Sequence, residues 1–378
     1  MRAIYGVVTA TLLVACAGGG GSSGGGTGGG AGGTGGGASG ASVVEPLPQL
    51  SAATSAVAID GAGVIHALEF GSDSALRYLR CASNCATASS WSSGVIDPGV
   101  SVDRPVIRVT SDGKVRVAID NFVTGTYGDY VGFCDADCTT SASWSWTKLD
   151  LPPSVSNRNP SHYLGVAGEA MILGLGVGSP MQALVCTSGC RSAASWKPIA
   201  FSSRACSAPD VAVSPSGAMV FSCVTYDFNA TPVDVLEVWS CASSCDQQAS
   251  WSGVTGLLDG DDVTADATIA PDGRVSVAVN LGKQASADLS YRVGYFTCAG
   301  NCGVPGSWSS AVLDQVGLYG RRLAIDADET GRLALAINGT VSGTNGLFLS
   351  TCAGDCSQKQ NWTTTLADDA KRLNATMP

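Results

Sequence analysis

One stretch recurs six times along the chain. Two cysteines are separated by three residues, and a tryptophan follows six residues after the second cysteine. The copies are Cys81-Cys85-Trp91, Cys134-Cys138-Trp144, Cys186-Cys190-Trp196, Cys241-Cys245-Trp251, Cys298-Cys302-Trp308 and Cys352-Cys356-Trp362. The first cysteines of successive copies are 53, 52, 55, 57 and 54 residues apart. A period above fifty residues exceeds that of most helical solenoids and is typical of a four-stranded unit.

The cysteine spacing predicts disulfides. Successive pairs are about fifty residues apart and the chain has only 2 histidines, whereas zinc sites join two close pairs, or one pair with histidines. We therefore predict a bridge within each of the six pairs, and hence an oxidising compartment. Cys206 and Cys223 flank a predicted hairpin whose turn is near 214–217, so they predict a cross-strand bridge. Of the 15 cysteines, this pairing leaves only Cys16 without a partner.

Each repeat contains four β-rich runs. The second and fifth copies show two such runs around Gly113 and Gly273, which predict hairpins. A third run leads into each cysteine pair, and the tryptophan opens a fourth. The pattern predicts an all-β fold, a six-bladed β-propeller with four antiparallel strands per blade. The expected blades are 51–98, 103–151, 158–200, 205–259, 264–314 and 320–368. A linear β-solenoid is the alternative.

The repeat resembles the sialidase-like or BNR-type propeller repeats of secreted bacterial proteins. The likeness covers residues 51–366 and concerns architecture. The Asp-box pattern of that family is not matched, because Ser111-Asp112-Gly113 has the wrong spacing and no tryptophan. If the resemblance extended to activity, it would imply a glycoside hydrolase.

The N-terminus predicts secretion. Met1-Arg2 and the short apolar run 4–14 precede Leu13-Val14-Ala15-Cys16, which resembles the lipobox of bacterial lipoproteins. This resemblance implies a signal peptide over 1–15, lipidation of Cys16 and, because Ala17 replaces the aspartate of an inner-membrane retention signal, outer-membrane sorting on the periplasmic or the surface-exposed side. Residues 16–42 are a Gly/Ser-rich linker, expected to be a disordered tether, and 43–378 form the propeller. An ordinary secretory signal is the alternative.

Composition limits the partners. The net charge is −10 and the pI about 4.6, with no run of Lys or Arg. Such a chain lacks the basic footprint of a nucleic-acid binder or of a segment that holds anionic lipid. We expect membrane attachment through the lipid anchor only, a monomer, and no cofactor or metal. One loop is rich in acids, namely Asp259, Asp261, Asp262 and Asp266. Carboxylates are ligands of Ca²⁺, but the spacing of these four is not that of an EF-hand.

Candidate binding residues follow from alignment on the turn glycine. Four arginines precede the first strand of their repeats: Arg104, Arg158, Arg321 and Arg322. Three polar residues follow the second strand: Asp120, Asn280 and Asn338. This register places all seven at the mouth of the central channel, on the face opposite the disulfides. Arginines there would bind a carboxylate or phosphate. Alternatively, they satisfy loop carbonyls and pair with Asp103 or Asp120.

Catalytic chemistry is not evident. The sequence has 2 histidines, 14% charged residues and no nucleophile motif, so no catalytic residue is predicted. We predict a non-catalytic binding or scaffold module of the cell envelope whose partner is a protein or a glycan. A sialidase-like glycoside hydrolase is the alternative, so enzymatic activity is left open.

Overall fold

The fold is all-β. The computed structural model describes residues 54–70, 75–85, 87–121, 128–150, 162–175, 180–226, 234–260, 263–282, 291–317, 323–328, 330–341 and 344–369. Within these ranges no helix is long and apolar enough to cross a membrane. The predicted signal peptide, Cys16 and the glycine-rich linker lie outside them.

The described residues contain twenty-three strands, and their order follows the repeat. The first repeat has β1 (Thr54–Ile59), β2 (Ile65–Phe70), β3 (Leu76–Cys81) and β4 (Trp91–Val95). The second has β5 (Asp103–Val109), β6 (Val115–Asn121), β7 (Gly128–Cys134) and β8 (Ser145–Lys148). The third has β9 (His162–Ala167), β10 (Ala170–Leu175) and β11 (Pro180–Cys186), and it shares β12 (Lys197–Val213) with the fourth.

The second half continues the pattern. The fourth repeat adds β13 (Met219–Tyr226), β14 (Asp234–Cys241) and β15 (Ser252–Gly260). The fifth has β16 (Thr264–Ile269), β17 (Val275–Asn280), β18 (Arg292–Cys298) and β19 (Ser309–Gly317). The sixth has β20 (Leu323–Ala327), β21 (Leu333–Val341), β22 (Thr344–Cys352) and β23 (Trp362–Asp369). Single 3₁₀ turns lie at Ala88–Ser90, Ser141–Ser143, Ala193–Ser195, Gln248–Ser250, Pro305–Ser307 and Lys359–Asn361.

The strands form antiparallel meanders, but the sheets are not six separate bodies. β1–β4 and β5–β8 are four-stranded sheets, while β9–β15 form one sheet of seven strands and β16–β23 one of eight. The third and fourth repeats join because β12 runs for 17 residues and pairs with β11 and then β13. The fifth and sixth join where Val316 and Gly317 pair with Thr340 and Gly339. The expected boundary at 200–205 therefore falls inside a continuous strand, and the sheets do not confirm a count of six blades.

The first strands of the repeats gather at a common centre. β1 packs on β5, β5 on β9, β9 on β12, β12 on β16, and β16 on β20. Five apolar clusters fill the five spaces between consecutive repeats. Strands buried on both faces account for this: Met171 and Leu173 of β10 face the second repeat, whereas Ile172 faces the fourth. The arrangement is propeller-like.

The cysteine–tryptophan stretch stabilises contacts between repeats. All seven predicted disulfides are present: the six CxxxC bridges, and Cys206–Cys223 between β12 and β13. In every repeat the tryptophan indole N–H donates to the carbonyl of the second cysteine, at 2.8–2.9 Å. Trp144 and Trp362 then contact Tyr78 and Tyr295 of the preceding repeat edge to face. These contacts give the repeated tryptophans a packing role.

Candidate functional site

A polar groove lies between the fifth and sixth repeats. Its volume is about 530 Å³. The fifth repeat lines it with Arg274, Thr297, Ala299, Ser307 and Ser309. The sixth lines it with Thr330, Gly331, Arg332, Gly354, Asp355 and Ser357. We call it the 5–6 groove. It lies on the face of the disulfides and turn glycines, opposite the face predicted for the ligand.

A comparison with the boundary between the second and third repeats explains why the boundary between the fifth and sixth is open. At the boundary of the second and third repeats, Arg191 follows the second cysteine and crosses to the neighbouring repeat. Its Nη2 donates to Asp135 Oδ2 at 2.7 Å, its Nη1 donates to Ser145 Oγ, and its guanidinium lies 5.0 Å from the Phe133 ring centroid. These side chains occupy the space that the groove leaves free.

Small side chains stand at the equivalent positions of the 5–6 boundary. Ser357 follows the second cysteine where Arg191 does, Ala299 corresponds to Asp135, and Thr297 corresponds to Phe133. At the fourth–fifth boundary the equivalent residue is Gly303, where a Cβ would come within 2.7 Å of the Ser252 Cβ, so close approach of the chains fills that space. The 5–6 groove therefore results from particular small residues and is not a property of every repeat.

Arg274 is fixed at the base of the groove. Its Nη2 donates to the Gly331 carbonyl at 3.1 Å and its Nη1 to the Gly354 carbonyl at 3.3 Å. Both glycines have positive φ, +78° and +93°, a conformation that other residues rarely adopt. The Arg274 side chain is 20% exposed, and its Nε lies 3.9 Å from Asp272 Oδ2. The groove thus has an immobilised positive charge.

Other groups in the groove keep free hydrogen-bonding capacity. Arg332 is exposed, and within the described part of the chain its guanidinium has no recorded hydrogen bond. The same holds for the hydroxyls of Ser307 and Ser309. Asp355 Oδ1 accepts from the Ser357 hydroxyl at 2.6 Å and its amide at 3.1 Å, and these bonds lower the pKa of Asp355, so it is ionised at neutral pH. The groove therefore offers donors and an acceptor suited to a hydroxyl-rich ligand.

A second polar region lies among the central strands. The Asp210 carboxylate accepts the Ala267 N–H, and that of Asp266 accepts the Ile325 N–H, each at 2.6 Å. Desolvation raises the pKa of both carboxyls, and repulsion from Asp210 raises that of Asp266 further. The two carboxyls also hydrogen-bond each other, and the charge of Arg108 on β5 acts on both. Both shifts favour the protonated form of a carboxyl at the point where three central strands meet.

His66 is not an accessible catalytic group. His66 Nδ1 is 2.6 Å from the Tyr78 hydroxyl and Nε2 is 3.3 Å from Asp60 Oδ2. Tyr78 is 0% exposed and His66 2%, and burial lowers the pKa of His66. The neutral imidazole ring therefore accepts a hydrogen bond from the Tyr78 hydroxyl and donates one to Asp60. Trp144 packs edge to face on the Tyr78 ring. The side chain of His162 lies outside the described residues.

The residues predicted at the channel mouth are only partly described. Arg158, Arg321 and Arg322 lie outside the described residues, and for Arg104 and Asn338 only the backbone positions in β5 and β21 are described. Asp120 is 3% exposed and pairs in the ladder with Asp103 and Asp129. Asn280 is 2% exposed, and its Oδ1 accepts the Gly282 N–H at 3.3 Å. The site at the channel mouth therefore stays a prediction.

The described residues contain no group of three or more His, Cys, Asp or Glu side chains placed to bind a metal ion. The acid-rich loop considered for Ca²⁺ is described only in part, because Asp261 and Asp262 lie outside the described residues.

Comparisons with known proteins show the fold. No protein-family model matches the chain, and no curated protein does. Hydrazine synthase of Kuenenia stuttgartiensis matches with a TM-score of 0.50 and 14% identity, over 90% of this chain and 82% of that one. The Penicillium chrysogenum α-L-arabinanase complexed with arabinobiose gives 0.48 and 14%, over 81% and 95%. The Aleuria aurantia lectin in complex with Fucα1-6GlcNAc gives 0.47 and 13%, over 86% and 97%. At such identity the likeness concerns the fold alone.

Proposed function

We propose that this protein is a non-catalytic saccharide-binding module of the bacterial cell envelope. Its six repeats form a six-bladed propeller, held to the outer membrane by a lipid on Cys16 through the glycine-rich tether. The observation that carries the binding proposal is the 5–6 groove, in which Arg332, Ser307, Ser309 and Asp355 retain hydrogen-bonding capacity. A saccharide presents hydroxyls at close spacing, which such a set of donors and acceptors matches.

The seven disulfides support an envelope location. Bridges of this density persist in oxidising compartments and stabilise secreted domains. Each CxxxC bridge closes a short loop, for which the chain-entropy treatment gives a stabilisation of about 2 kcal/mol.

Glycoside hydrolysis is the second candidate, and the Asp210–Asp266 pair is the observation that bears on it. A retaining glycosidase holds its two carboxyls about 5 Å apart with the sugar between them. Asp210 and Asp266 instead hydrogen-bond each other, and each also accepts an amide of the next strand. Their position favours a role in joining the central strands, so binding is the function that we put forward.

The test introduces into the 5–6 groove the side chains that fill the boundary between the second and third repeats. In the double variant Ser357→Arg with Ala299→Asp, the new arginine crosses to the new aspartate as Arg191 does to Asp135. Wild type and variant are screened on a glycan array, and positive glycans are titrated by calorimetry. We expect affinity to fall at least tenfold, about 1.4 kcal/mol.

The control is Asp246→Arg, which changes the equivalent position in the fourth repeat, away from the groove. It should bind as the wild type does. Binding that survives filling of the groove would place the site elsewhere, and failure of the wild type to bind any saccharide would refute the proposed function.

A further inference from the structure

We propose that the 5–6 groove selects saccharides that carry an isolated carboxylate, such as uronic acid residues, and that Arg332 binds this carboxylate. The inference rests on the proposed saccharide-binding function and names the class of sugar. Three charged side chains line the groove, and they differ in the hydrogen-bonding capacity that each keeps for a ligand.

Arg332 is the cation with free donors. Its side chain is exposed, while Asp328, the acid whose charge it adjoins, is engaged by the turn: Asp328 Oδ1 accepts the Thr330 amide at 2.8 Å, the Thr330 hydroxyl at 2.7 Å and the Arg332 amide at 3.0 Å. The Arg332 guanidinium therefore keeps its fork of N–H groups for a ligand. A planar carboxylate matches that fork with two parallel hydrogen bonds.

Arg274 supplies charge but few donors. Both of its Nη atoms are occupied by the carbonyls of Gly331 and Gly354. These bonds hold the guanidinium at the base of the groove, so its positive charge is in place before a ligand binds. It thus raises the affinity for an anion that Arg332 contacts directly, and exposure of only 20% limits its screening by water.

Asp355 limits how much negative charge the ligand can carry. Its Oδ1 accepts from Ser357, and the Gln358 side chain also hydrogen-bonds to the carboxylate. A carboxylate can accept about four hydrogen bonds, so Asp355 keeps capacity for a sugar hydroxyl. Because Asp355 is ionised, it repels a second anionic group close by. The lining carries two arginines and one aspartate, and Asp272 and Asp328 lie beside the arginines. This mixed set of charges matches one carboxylate per site rather than a densely sulfated chain or a polyphosphate.

The test compares three probes on the purified full-length protein. They are an oligosaccharide containing glucuronate, the same oligosaccharide with its carboxyl reduced to the alcohol, and heparin as a densely charged polyanion. We expect the wild type to bind the glucuronate form at least tenfold more tightly than the reduced form, and more tightly than heparin per site. Arg332→Gln should bring the ratio between the acidic and reduced forms close to one, because it removes the guanidinium that distinguishes the carboxylate from the alcohol.

Arg332→Lys keeps the charge without the fork and should restore part of the preference. Because Arg332 is exposed, the variants should unfold at the wild-type temperature, which circular dichroism checks. An equal preference in the wild type, or an unchanged ratio in Arg332→Gln, would overturn the inference. In that case loss of binding in the groove-filling variant would still support the proposed function, whereas saccharide binding that is insensitive to groove filling would overturn both.

Discussion

Replacement of the repeated tryptophan tests whether it stabilises the contact between repeats. Trp144 is 7% exposed, stacks on Trp146 with ring centroids 5.7 Å apart, and meets Tyr78 at 5.9 Å. Trp91 stands at the same motif position and makes the same hydrogen bond to a cysteine carbonyl, at 2.9 Å, but is only partly buried. The pair offers a comparison in which the motif is constant and the packing differs.

The expected magnitudes follow from these contacts. Loss of the indole hydrogen bond costs about 1 kcal/mol in either variant. Trp144→Ala also removes about 200 Å² of buried side chain and leaves a cavity, for a total of about 3–5 kcal/mol. Trp91 is partly buried and belongs to none of the five apolar clusters between the repeats, so Trp91→Ala should cost less, about 1–2 kcal/mol. Trp144→Ala should therefore be the more destabilising change by about 2 kcal/mol or more.

The assay is urea unfolding followed by far-ultraviolet circular dichroism, with the disulfides kept oxidised. Circular dichroism avoids the loss of fluorescence that removal of a tryptophan would cause. Equal losses in the two variants would refute the packing argument. Saccharide binding that disappears in Trp144→Ala at unchanged stability would show instead that the tryptophan is a ligand platform.

Two further predictions concern the central carboxyls and the anchor. The native state holds a proton at Asp266 that the unfolded chain releases above about pH 4, so this group stabilises the fold at low pH and its contribution is lost as the pH rises through the native pKa. Asp266→Asn keeps both hydrogen bonds but cannot titrate. Its free energy of unfolding should therefore decline less steeply above about pH 4 than that of the wild type, by up to about 1.4 kcal/mol per pH unit. The control Glu169→Gln, at an exposed position, should keep the wild-type slope, and a wild-type slope in Asp266→Asn would contradict this account. Cys16→Ser should move the protein from the membrane fraction to the soluble fraction and remove the lipid mass from its N-terminal peptide; unchanged fractionation would contradict lipidation.

Local features were predictable from the sequence because they depend on neighbouring residues. The third strand of each repeat ends at the first cysteine, and the hairpins around Gly113 and Gly273 are β5–β6 and β16–β17. Two fourth strands begin at the tryptophan, as expected, and the others begin one residue later. Disulfides that join residues four apart need only a tight turn, so their pairing follows from spacing alone.

The groove was missed because it depends on side chains from two repeats. A signal existed: Arg191 and Asp135 at one boundary correspond to Ser357 and Ala299 at another. It becomes readable only when the residue after the second cysteine is known to face the preceding repeat, which the contact of Thr147 Oγ1 with the Arg191 carbonyl shows. Alignment on the turn glycine instead directed the prediction to the opposite face.

By itself, the sequence determined the period of the fold, its β strands, its disulfides and the predicted route to the envelope, because these follow from local spacing and composition. Only the tertiary structure decided which boundary between repeats is open and that the carboxyls of Asp210 and Asp266 meet in the interior. These features arise when side chains some fifty residues apart meet across two strands, and their size and charge matter only in combination. The repeated cysteine–tryptophan stretch makes the boundaries alike, and a few small residues at one of them leave the space that we propose a saccharide occupies.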